Sequence, residues 1–95
     1  MTKVIFRKWR NKLGGIIALF PEIPSTPEGY YCMSYEHIGQ HGSATPRLMD
    51  CTIPATKEEY SELQNELVRI GYDDLVVVKR FPPNSYKTRR IATQK

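Results

Sequence analysis

The chain has 95 residues, 40% of them hydrophobic and 25% charged, with a formal net charge of +4. That length makes one domain near the lower limit of a self-sufficient core, and that composition excludes wholesale disorder. No apolar run nears the roughly 18 residues of a membrane span. The pair Arg7-Lys8 follows Val4-Ile5-Phe6 too closely for a signal-peptide core, so a cytoplasmic protein without a membrane is the expectation.

In chain order, Val4 to Trp9 alternates bulky and charged residues as a half-exposed strand does. Asn11-Lys12-Leu13-Gly14-Gly15 supplies hairpin chemistry, and Ile16 to Phe20 returns as a continuous apolar strand that Pro21 is expected to stop. Pro21, Pro24 and Pro27 recur every third residue, the period of a polyproline II linker. Tyr30 to Ile38 reads as a third strand, and Gly39 to Ala55 as a long connection.

Thr56 with Glu59 three residues on forms a capping box, which opens a helix. Tyr60, Leu63, Leu67 and Ile70 make its apolar stripe, and Gly71 stands where a left-handed residue ends it. Leu75 to Val78 is β-branched and apolar, a fourth strand expected to be buried on both faces. The prediction is an α+β fold: a small mixed sheet of about four strands in the order β-β-β-α-β, with one amphipathic helix packed on one face. Residues 1–83 form the domain and 84–95 a basic C-terminal tail, frayed or briefly helical.

Charge is unevenly distributed. Residues 1–12 carry five basic and no acidic side chains, residues 79–95 six basic and none acidic, and the stretch between them three basic and ten acidic. If the two ends meet, Arg7, Lys8, Arg10, Lys79 and Arg80 are candidate polyanion contacts. The segment from Tyr30 to Gly42 concentrates the side chains with lone pairs and π-faces, including both histidines. From this stretch, Tyr31, Tyr35, His37, Gln40 and His41 are the candidate binding residues.

Other chemistry is weaker in the pattern. Cys32, His37, His41 and Cys51 contain the donor types of a zinc site, but only the histidine pair has ligand spacing and Gly39 interrupts it, so no metal is expected. An enzyme would use His37 or His41 as base with a serine or cysteine nucleophile, yet no nucleophile elbow is present. Gly39-Gln40-His41-Gly42 follows a strand and lacks Lys and Arg, unlike the RNA-clamping loop of KH domains.

The run Ile17-Ala18-Leu19-Phe20-Pro21, followed by Ser34-Tyr35-Glu36-His37-Ile38-Gly39-Gln40-His41-Gly42, resembles a group of short uncharacterised proteins of bacterial conjugative elements and phages. The resemblance implies a cytosolic accessory protein of a mobile element and brings no activity, cofactor or catalytic residue. The leading functional reading is a small non-enzymatic binding module with a protein partner and no cofactor. Weak, phosphate-driven nucleic-acid binding is the alternative, and a small enzyme or metal site at His37 and His41 the second.

Overall fold

The computed structural model describes residues 1–10, 15–36 and 40–94, with the side chain of Gln40 excepted. The chain forms an α+β fold around one mixed sheet. Strands β1 (Thr2–Trp9), β2 (Ile16–Pro24), β3 (Cys32–Glu36) and β4 (Gln40–Ala44) are paired in succession, each antiparallel to the next. The free side of β1 is divided. Its later residues take the short antiparallel strand β5 (Thr52–Pro54), and its first residues take the parallel strand β6 (Leu75–Val77).

Helix α1 (Lys57–Arg69) packs on one face, and its ends are fixed as the sequence predicts. The Thr56 hydroxyl accepts from the Glu59 N–H at 3.2 Å, and a Glu59 carboxylate oxygen accepts from the Thr56 N–H at 2.9 Å. At the other end Gly71 has φ of +124°, its N–H donates to Val68 O, and the Tyr72 N–H donates to Leu67 O. These two bonds define a Schellman motif, which needs the glycine for its left-handed turn. Leu63 and Leu67 are buried against Val4, Phe6, Ala18, Phe20 and Tyr35, while Tyr60 stacks on Phe6 with ring centroids 4.3 Å apart. Ile70 leaves the stripe: as the C-cap residue it has turned off the helical path and is half exposed.

The opposite face gathers Ile5, Ile17, Leu19, Cys32 and Ala44. It is covered by Leu48 and Met49 of a 3-10 helix (Pro46–Cys51) and by Val78 and Phe81. Thus the long connection between the third expected strand and α1 contains β4, the 3-10 helix and β5, and closes the second face of the sheet.

The sheet has six strands among the described residues rather than about four, because β4 and β5 form within the long connection, and three further expectations change. Pro21 does not end β2, which runs to Pro24. The ladder instead skips from the Phe20–Met33 pair to the Pro24–Cys32 pair, and the bulge absorbs the missing proline N–H. Strand β6 is not buried on both faces, because it pairs with β1 at the edge of the sheet rather than in its middle; Val77 is 38% exposed. Residues 84–94, read as a basic tail that is frayed or briefly helical, include helix α2 (Ser85–Thr93), and what differs from a tail is that it packs against β2 and buries Arg89.

Candidate functional site

The pairing of β3 with β4 sets Tyr35 opposite His41. Their rings meet edge to face, with centroids 4.8 Å apart. Tyr35 is buried among the residues under α1, and its hydroxyl donates to the Glu66 carboxylate. His41 is exposed, and its Nε2 lies 3.1 Å from the Tyr72 hydroxyl. Tyr72 is fixed in turn by the Schellman turn and by stacking on Phe20, with centroids 5.0 Å apart. One exposed imidazole is therefore seated on a rigid aromatic base where β4 meets the end of α1.

Tyr72 and Glu66 were not among the residues singled out from sequence. A signal for Tyr72 existed: the residue after a helix-ending glycine commonly packs back on the last turn, as Tyr72 does beside Leu67. Glu66 is one of four glutamates along α1, and only the tertiary approach of Tyr35 distinguishes it.

The remaining candidates scatter. Tyr31 precedes β3, and its ring meets Tyr30 rather than Tyr35 or His41. His37 and the Gln40 side chain lie outside the described residues. Cys32 belongs to the core on the face opposite α1, whereas His41 sits with Tyr35 and Tyr72 on the α1 side. Cys32 and His41 thus lie on opposite faces of the sheet and are not brought together as ligands of one ion. Burial pushes the Cys32 thiol up in pKa.

The basic candidates divide in the same way. Arg7 is 8% exposed, and its guanidinium donates to the Thr52 hydroxyl and to the carbonyls of Met49 and Thr52. That engagement withdraws Arg7 from phosphate contact and gives it a structural task. Burial, with Arg10 nearby, lowers its pKa. Lys8 pairs with Glu59 at 2.6 Å. Arg10, Lys79 and Arg80 remain exposed.

A cavity of about 450 Å³ opens where β5 and β6 part along β1. It is floored by Phe6, Ala55 and Tyr60 and flanked by Lys57 and Lys79, none of which belongs to the His41 cluster. Comparison with known proteins gives no match to any family model, curated protein or solved structure.

Proposed function

We propose that the chain is a small non-enzymatic binding module that takes an extended polypeptide segment onto the outer side of β4. The supporting observation is the character of that edge. Strand β4 has no strand on its outer side among the described residues, and its sequence, Gln-His-Gly-Ser-Ala, contains no Lys, Arg, Asp, Glu or Pro. Sheets ordinarily guard an edge with charge, proline or brevity. The opposite edge is guarded in this way: β5 and β6 are three residues each, and β5 ends in Pro54.

An added strand would gain main-chain hydrogen bonds along β4, and its side chains would find the His41 ring and the aromatic base beneath it. Such a module has no need of a nucleophile, a metal or a cofactor. An accessory role in the cytosol of a bacterium carrying a mobile element is the setting that the sequence resemblance suggests.

The test is selection of extended peptides on the immobilised full chain, followed by amide exchange of the best binder's complex. Exchange should slow at Gln40–Ala44, and Ser43→Lys should weaken binding while leaving the unfolding midpoint in place. Protection that bypasses β4, or full affinity in the Ser43→Lys variant, would remove the proposal.

A further inference from the structure

Three aromatic residues among those described are well exposed: Tyr30 at 44%, Tyr31 at 36% and Tyr86 at 46%. They lie in one network. The Tyr30 ring meets Tyr31 edge to face at 5.1 Å between centroids and Tyr86 at 6.4 Å. Exposed aromatics scattered singly are ordinary, but a cluster that retains exposed ring surface instead of entering the core marks a contact surface.

The same cluster carries positive charge. Tyr86 belongs to α2, which has no acidic residue and presents Lys87 and Arg90 to solvent; the Arg90 guanidinium lies 5.7 Å from the Tyr86 ring centroid. A groove of about 410 Å³ runs beside it, lined by Tyr86, Lys87, Arg90, Ile91 and Gln94. Beneath these, Arg89 is 1% exposed, and its hydrogen bonds go to the carbonyls of Gly29, Pro21 and Tyr30, with no carboxylate as partner among the described residues. Its positive charge therefore adds to the field above α2 rather than being cancelled locally. Glu28 is the acidic residue at the margin, exposed and two positions from Tyr30.

The surface is also preorganised. Gly29 has φ of +77°, and a Cβ there would stand 3.0–3.1 Å from the backbone of Arg89 and Arg90. The loop before β3 thus touches α2 main chain to main chain, and Arg89 ties the Tyr30 carbonyl to the same helix at 3.2 Å. Tyr30 and Tyr86 are held together by the fold.

We propose that this surface binds single-stranded nucleic acid, with bases stacking on Tyr30, Tyr31 and Tyr86 while Lys87 and Arg90 neutralise phosphates. Unpaired bases offer π-faces to the tyrosines; a duplex hides them and leaves only the phosphate contacts. The surface shares no residue with the β4 edge, so the two proposals fail separately.

The test uses fluorescence anisotropy of the full chain with a labelled oligothymidine of about 12 nucleotides, a length within the range of single-strand sites. A duplex of the same length and heparin serve as comparisons. The single strand should bind more tightly than either. Tyr86→Ala should weaken single-strand binding by roughly tenfold and Tyr86→Phe should restore it, since stacking needs the ring and not the hydroxyl. Lys87→Gln and Arg90→Gln should each flatten the dependence of log K on log salt by about 0.7. Equal affinity for strand, duplex and heparin, with Tyr86→Ala unchanged, would reduce the site to a bare cationic patch and overturn the proposal. Self-association that Tyr86→Ala abolishes, with no oligonucleotide binding, would assign the surface to a second copy and overturn it equally.

Discussion

The two faces of the sheet are closed by different means. Under α1 the closure is apolar: Leu63 and Leu67 fill the centre, Tyr60 lies flat on Phe6, and Tyr72 lies flat on Phe20. The other face is covered by a 3-10 helix, the segment around Val78–Phe81 and the neighbouring helix α2. Regular helix satisfies its own backbone, so α1 needs only its caps. Irregular cover leaves carbonyls pointing into the protein, and two buried guanidiniums answer them. Arg7 binds Met49 and Thr52 of the 3-10 connection, and Arg89 binds Pro21, Gly29 and Tyr30. The difference teaches how a small chain can complete a two-sided core with one long amphipathic helix on one face and short segments on the other: arginine satisfies at single points the carbonyls that irregular backbone leaves unpaired.

Truncation of one member from each face tests that division. Leu67→Ala has the largest expected effect, about 2–5 kcal/mol from lost transfer free energy and the cavity left behind. In a domain of this size that approaches the whole stability, and chemical denaturation should show the midpoint fall with protection lost throughout the sheet. Arg89→Met retains much of the side-chain volume but orphans three carbonyls. Undocking of α2 would admit water to them, which holds the cost to about 1–3 kcal/mol. Amide exchange should then quicken around residues 21–31 and 85–93 while β1 and α1 stay protected. Uniform loss of protection in Arg89→Met would show that the guanidinium supports the whole core and that the two faces are not separate.

The same contrast explains what could be read from sequence. Helix α1 was legible because its signals are local: a Thr56–Glu59 box, a repeat of apolar residues at helical spacing and a glycine at the exit. Strands β1 and β2 were legible as strands through alternation and an apolar run, but β1 is not half-exposed as its alternation suggested: Val4 to Arg7 are buried in succession, because both faces of the sheet are covered. Strand β4 was not, since Gln-His-Gly-Ser-Ala has no β-branched or large apolar residue, and it becomes a strand only by pairing with β3. The guanidinium clamps were equally hidden. Arg7 reaches partners more than forty residues away, and Arg89 about sixty or more, so no short window contains both ends of either contact. In the candidate site, Tyr35 and His41 were readable as a chemically rich pair, whereas Tyr72 and Glu66 joined them only through the packing of α1.

The smallest expected effect concerns the tie between Lys8 of the sheet and Glu59 at the start of α1. Glu59 holds its pKa below the ordinary 4.5, first through the hydrogen bond from Lys8 and then through the Thr56 N–H. Asp74 lies below its ordinary 3.8 through Thr2 and then the amino terminus. A carboxyl whose folded pKa is depressed contributes stability that is complete above its unfolded value and is lost as pH falls through the folded one. Stability should therefore hold as pH decreases toward the mid-fours and decline below that. Glu59→Gln isolates the charge, because glutamine can still fill the capping box while its pairing with the Lys8 ammonium disappears. Denaturant midpoints taken across the acid range should show Glu59→Gln slightly below the parent near neutrality and converging with it in acid. Parallel curves at every pH would show that the Glu59 charge adds nothing and that the box alone anchors this end of α1.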